Sequence, residues 1–204
     1  MARVAVMALV SLLGTWPDAA SPPLLLIVRE QVRPGRQVDY DRNERAIARL
    51  CRQWGGPNAY IALTAVGSPG EVWWLTAWSS QDELDEAGRQ YAGNRPLAAR
   101  MAPLNARKPA LADTSVTSLA KAAGGDALSM AGARYVTVTS LSRGSEPGAL
   151  YELPYGGRIA VQGFRSPPRK PRVGAMVLVI EPRWSLPTPE LAQADPEFWG
   201  AGEG

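Results

Sequence analysis

Residues 58–78 read NAYIALTAVGSPGEVWWLTAW, two apolar runs separated by Gly67-Ser68-Pro69-Gly70. Both runs are rich in β-branched and aromatic residues, and the connector has hairpin length. They therefore predict two antiparallel strands, 58–66 and 71–78. Upstream, residues 24–32, LLLIVREQV, open apolar and then alternate, which predicts a strand entering a core. Pro34-Gly35 is a turn signal. Residues 36–54 predict a helix with Val38, Tyr40, Ile47, Leu50, Cys51 and Trp54 apolar. Its acids, Asp39, Asp41 and Glu44, lie toward the start, and Arg45, Arg49 and Arg52 lie toward the end, as the helix dipole favours. Gly55-Gly56-Pro57 stops it. Downstream, Ser80-Gln81-Asp82-Glu83 has the spacing of a capping box and opens a helix bearing Leu84, Ala87, Gly88 and Tyr91 on one face. Asn94-Arg95-Pro96 breaks or kinks it, a further stretch carries Leu97, Met101 and Leu104, and residues 111–121 form a weaker strand. The order strand, helix, strand, strand, helix, strand over residues 24–121 is that of a ferredoxin-like βαββαβ unit. Such a unit is an α+β fold with both helices on one face of a four-stranded sheet.

The remainder changes character. Residues 122–132, AAGGDALSMAG, read as a linker. Residues 133–184 read as a strand-rich half packing on the first. Strands are predicted at 133–141, 149–153, 158–164 and 175–183, with a hairpin turn at Pro154-Tyr155-Gly156-Gly157. These four strands repeat the single, hairpin, single order of the first half, which suggests a degenerate second copy without helices. The loop 165–174, RSPPRKPRVG, carries three prolines and cannot be helical; its four cations suit either an anionic surface or plain solvent. The tail 185–204 is expected to be irregular, with Phe198 and Trp199 filling a groove.

The chain has 204 residues, 46% hydrophobic and 20% charged, the balance of a protein that buries a core. A net charge of +3, dispersed along the chain, gives no nucleic-acid footprint. There is no histidine, so His-based catalysis, His-liganded zinc and a proximal-His haem are excluded. The single cysteine excludes an intrachain disulfide and any multi-Cys metal site, and Cys51 reads as a small buried hydrophobe. Residues 1–20, MARVAVMALVSLLGTWPDAA, combine Arg3, an apolar run from Val4 to Leu13, and Ala19-Ala20. That pattern predicts a signal peptide and a secreted or periplasmic protein without stable membrane insertion after processing.

The stretches IVREQVRPGRQVDYDRNE (27–44) and EVWWLTAWSSQDELDEA (71–87) carry a resemblance. The strand ending in Val32-Arg33-Pro34-Gly35 before a helix, and Trp78-Ser79-Ser80 capping the next helix, resemble the dimeric α/β-barrel superfamily. Its NIPSNAP-like and antibiotic-biosynthesis-monooxygenase-like members are the nearest in feel. The resemblance covers residues 24–121 and implies two four-stranded sheets meeting face to face. The second sheet would come from this chain's own second half, as an internal pseudo-dimer in a monomer, or from a homodimer partner. Some members degrade haem and others oxidise aromatic substrates without metal or flavin. The haem degraders share an Asn, a strand Trp and a helix His, and without a histidine that set is incomplete here.

For function, Trp74 and Trp78 share one strand face, with Tyr60 on the neighbouring strand and Tyr91 on the following helix. These rings either fill a core or line a cavity for a small apolar or aromatic ligand. Asn94 and Arg95 stand at the helix break, where a pocket mouth can hold a carboxylate or where the arginine is simply exposed. Tyr40, Asp41 and Glu44 could supply acid–base groups or only serve the helix dipole. The expectation is an exported small-molecule-binding protein with no tightly bound cofactor. A cofactor-independent monooxygenase-like enzyme is the alternative, and a structural or partner-binding envelope protein the third class.

Overall fold

The computed structural model describes residues 21–141, 147–171 and 173–200; the signal-peptide expectation for residues 1–20 falls outside them. Strand β1 (Leu24–Val32) leads through Pro34-Gly35 into helix α1 (Gln37–Trp54), which ends on Gly55 in the left-handed region. The predicted hairpin forms as β2 (Ile61–Ala65) and β3 (Glu71–Trp78). Helix α2 (Gln81–Gly93) starts at Ser80, whose hydroxyl accepts from the Glu83 amide at 3.1 Å. The Glu83 carboxylate turns back to the Ser79 amide at 2.7 Å, completing the cap. Asn94 ends α2 and caps α3 (Arg95–Asn105), so the chain breaks at Pro96 and resumes as a helix. A short α4 (Lys108–Leu111) precedes β4 (Ala112–Gly125), which runs on into the stretch expected to be linker. Strands β5 (Tyr135–Leu141), β6 (Ala149–Glu152), β7 (Arg158–Phe164) and β8 (Ala175–Ile180) follow.

The fold-class expectation is corrected by how these strands pair. The chain is a closed eight-stranded antiparallel β-barrel with a few helices, in the order β1-β3-β2-β8-β5-β7-β6-β4. It is not a ferredoxin-like α/β sandwich. Both runs of four strands share one order, β4-β1-β3-β2 and β8-β5-β7-β6, yet they form a single ladder. Two seams make it so. β2 pairs with β8 from Leu63↔Ile180 to Ala65↔Leu178, and β4 pairs with β6 from Lys121↔Glu152 to Gly125↔Ala149. Unpaired strand edges carry unsatisfied amides and carbonyls, and closure removes every edge at once. Local periodicity cannot report such pairings, because the partners lie far apart in sequence.

Alternation sorts each strand into an inner and an outer face. Leu25 and Ile27, Ile61 and Leu63, Trp73 and Leu75, Val136 and Val138, Val161, and Leu178 and Ile180 all enter one interior cluster. The barrel is therefore filled by side chains, as an eight-stranded barrel allows. The opposite faces of β1 and β3 carry Leu24, Leu26, Val28 and Glu30, with Val72, Trp74, Thr76 and Trp78; there Leu24, Leu26, Val28 and Trp74 are only half-buried.

The tail differs from its irregular expectation. Thr188 caps α5 (Pro189–Ala194), and α6 (Pro196–Gly200) follows. Leu191 and Trp199 join the interior cluster at one barrel end. Arg134 pairs with Asp195 and lies 3.7 Å over the Phe198 ring, which anchors the segment.

At the β4–β6 seam the register shifts between Ala122 and Gly124. Gly125 sits at φ +82, and a Cβ there would lie 2.3 Å from the Gly148 carbonyl oxygen. Gly124 sits at φ +104 with open space around it. Gly124→Ala therefore costs backbone strain alone, about 1–2 kcal/mol. Gly125→Ala adds a backbone clash and costs at least about 2 kcal/mol more. Urea midpoints of the two variants measure the gap, and equal midpoints would contradict the account of this seam.

Candidate functional site

Helix α1 buries Tyr40, Asn43, Glu44, Ile47, Ala48 and Cys51, spaced by three and four residues as one helical face requires. Two of these six side chains are polar and one is a carboxylate. Glu30 stands on the outer face of β1 and is 9% exposed; Glu44 is 2% exposed. Lys108, the first residue of α4, reaches between them. Its Nζ lies 3.0 Å from Glu30 Oε1 and 3.2 Å from Glu44 Oε1. The Tyr40 hydroxyl donates to Glu30 Oε2, and Asn43 Nδ2 donates to Glu44 Oε1 at 3.2 Å. One strand, one long helix and one short helix thus bring two carboxylates, an ammonium, a phenol and an amide together beneath the helical layer.

Burial sets the protonation behaviour. Desolvation pushes the Glu44 carboxyl above the usual carboxylate range; neighbouring Glu30 pushes the same way, while Lys108 and Asn43 oppose. The Tyr40 hydroxyl is pushed far above the ordinary phenol value, first by burial and then by the charges of Glu44 and Glu30. Tyr40 therefore stays a neutral donor.

Aromatic rings wall this cluster. Lys108 Nζ lies 5.2 Å from the Trp74 ring and 5.8 Å from the Tyr40 ring, both within cation–π range. Trp184 packs edge-on to Tyr40 at 5.6 Å and stacks toward Trp74 at 6.5 Å, and Tyr60 meets Trp74 edge-on at 5.7 Å. The Trp184 indole N–H donates to Asp41 Oδ1 at 2.9 Å, an oxygen that also accepts from Arg45 Nε at 2.8 Å. Several buried polar atoms here find no partner: Trp74 Nε1, the Tyr60 hydroxyl, Asn43 Oδ1, and Arg52 Nε and Nη2. A buried polar atom without a partner is costly.

Of the sequence-predicted residues, Trp74 and Tyr60 belong to this constellation. Trp78 lies further along the same face of β3, buried, with its indole N–H unpartnered. Tyr91 places its hydroxyl 3.9 Å from Cys51 Sγ, beside Tyr60. Burial pushes the Cys51 thiol upward, away from the thiolate a nucleophile needs. Asn94 is a structural joint: its Oδ1 accepts from the Leu97 amide at 3.2 Å and its Nδ2 donates to the Trp54 carbonyl at 2.7 Å. Arg95 is exposed on α3, away from the cluster. Sequence reasoning missed Glu30, Lys108, Asn43 and Trp184. Glu30 carried a signal, since it interrupts the apolar alternation of Val28 and Val32 on one strand face. Lys108 and Trp184 carried none. Among the described residues no three His, Cys, Asp or Glu side chains group as metal ligands.

No protein-family model and no curated protein matches the chain. Solved structures resemble it slightly. A "putative monooxygenase" from Lactobacillus acidophilus NCFM aligns over 87% of this chain and 89% of its own, with TM-score 0.43 and 8% identity. Another so described, from Fusobacterium nucleatum subsp. nucleatum ATCC 25586, aligns over 89% and 84%, with TM-score 0.40 and 8% identity. An anthrone oxidase-like protein aligns over 91% and 86%, with TM-score 0.40 and 12% identity.

The raised Glu44 value has a consequence for stability. The folded state binds the Glu44 proton more tightly than the unfolded chain does. Its contribution is complete below the ordinary carboxyl range and is lost as pH rises through the folded value. Glu44→Gln stays neutral throughout. The stability of the variant relative to the parent therefore grows as pH rises above the ordinary carboxyl range. Urea unfolding across that rise checks the slope; a gap that shrinks with rising pH would contradict it.

Proposed function

We propose that the protein binds a small aromatic weak acid, a phenol or enolisable ketone, between α1 and the outer wall of β1–β3, and takes up its proton. One observation carries this. Lys108 sits between buried Glu30 and Glu44 and 5.2 Å from the Trp74 ring, whose N–H has no hydrogen-bond partner among the described residues. The rings favour a flat apolar body. Glu44 is the proton acceptor, Lys108 stabilises the resulting anion, and Tyr40 holds Glu30 in place.

A second reading follows from the same geometry. An aromatic carbanion or phenolate shielded from water is electron-rich and reacts with dioxygen directly. For an activated CH2 group, one oxygen atom becomes the carbonyl, the other leaves as water, and the substrate itself supplies the electrons. This oxygenase version is the activity that the resemblance in residues 27–44 and 71–87 implies.

4-Nitrophenol tests the first reading, because its ionised form is coloured. At a fixed pH near its own midpoint, added protein raises the phenolate fraction. Lys108→Met removes most of the rise, a loss of roughly tenfold in affinity for the anion. An unchanged spectrum with excess protein would sink the proposal. Oxygen uptake with an enolisable aromatic ketone, lost in Glu44→Gln, tests the second.

A further inference from the structure

A groove of about 440 Å³ runs between α1 and the α3–α4 segment. Its floor is apolar, built from Leu104, Ala110 and Leu111, and its size suits a small-molecule ligand. Four arginines stand on it, Arg36, Arg42, Arg49 and Arg107, against one acid, Asp39. Asp39 is already engaged, 3.3 Å from Arg36 and 3.5 Å from Arg42. Among the described residues Arg49 and Arg107 have no ion-pair partner. The positive rim over an apolar floor is complementary to an amphipathic anion.

The groove also touches the buried cluster. Asn43 lines it and is 3% exposed. Its Nδ2 is bound to Glu44, while its Oδ1, an acceptor, has no partner. A group entering from the groove therefore meets a buried acceptor one side chain away from Glu44 and Lys108. The complement of that acceptor is a hydroxyl or N–H on the ligand.

We propose that the groove is the acid-binding subsite of the same ligand, so that the ligand class is a hydroxylated aromatic carboxylic acid. Its carboxylate pairs with Arg49 and Arg107, the ring that carries the carboxylate lies over Leu104 and Leu111, and its hydroxylated ring reaches past Asn43 toward Glu44, Lys108 and the Trp74 wall. This inference rests on the proposed function, and it adds the second charge that a simple phenol lacks.

Calorimetry with three probes tests it: 6-hydroxy-2-naphthoate, 2-naphthol, which lacks the carboxylate, and 2-naphthoate, which lacks the hydroxyl. The hydroxy acid binds roughly tenfold or more tighter than 2-naphthol, as a charge-assisted contact supplies. The Arg49→Gln/Arg107→Gln double variant abolishes that advantage and leaves 2-naphthol affinity unchanged. Both arginines are exposed, so the variant is expected to fold, and its circular dichroism confirms this. Equal affinities for the hydroxy acid and 2-naphthol, or an unaffected ratio in the double variant, overturn the subsite. If 2-naphthol binding still depends on Lys108, the proposed function survives that failure. If the hydroxy acid depends on the arginines but not on Lys108→Met, the groove stands as an acid site and the buried-site reading falls. No binding of any probe overturns both.

Discussion

Closure of the strand ladder is the constraint on which everything else rests. Antiparallel pairing leaves each strand with two edges, and eight strands in a ring leave none. The β2–β8 and β4–β6 seams complete that ring, and the second depends on a bulge and on Gly125, where no other residue has room for a Cβ. Once the ring is closed, its interior must be filled. Leu, Ile and Val from all parts of the chain fill it, with Trp73 and Tyr151 among them. Polar chemistry is thereby displaced to the outside of the barrel, under the helices.

The helical layer lies over only part of that outer wall, and there the fold buries charge. Ion pairs of this kind rarely add net stability, because removing both ions from water offsets their attraction. Glu30, Glu44 and Lys108 satisfy one another, with Tyr40 and Asn43 completing the carboxylates, while Trp74, Tyr60 and Arg52 keep polar atoms unmatched. A core optimised for stability alone would not leave buried polar atoms unmatched beside a cluster whose lysine is only partly buried. Trp184 ties the tail into this wall through Asp41, so the segment after β8 is part of the site's architecture as well as of the barrel's end.

Much of the secondary structure was legible locally. The hairpin at 58–78, the α1 stop at Gly55, the Ser80 cap and the break at Asn94-Pro96 are short-range events, decided by turn chemistry and capping within a few residues. The aromatic part of the site was legible in the same way, through alternation on β3 and the neighbouring Tyr60. The acidic part was half-legible: Tyr40 and Glu44 have a helix-dipole explanation that conceals their burial, and Glu30 shows only as a charge in an apolar register. Lys108 was silent, because a lysine before a proline in a loop-like stretch looks like any solvated residue.

What the amino-acid order determined by itself was most of the strands, the helices between Gln37 and Asn105, the alternation of their faces, and the exclusion of histidine and multi-cysteine chemistry. These follow from steric propensity, periodicity and residue inventory, which act over one to four residues. Tertiary structure alone decided that the strands form one closed barrel and that Glu30, Glu44 and Lys108 meet. Both depend on segments many residues apart, held together by strand edges that must be paired and charges that must be neutralised once buried. Neither requirement exists until the chain is compact.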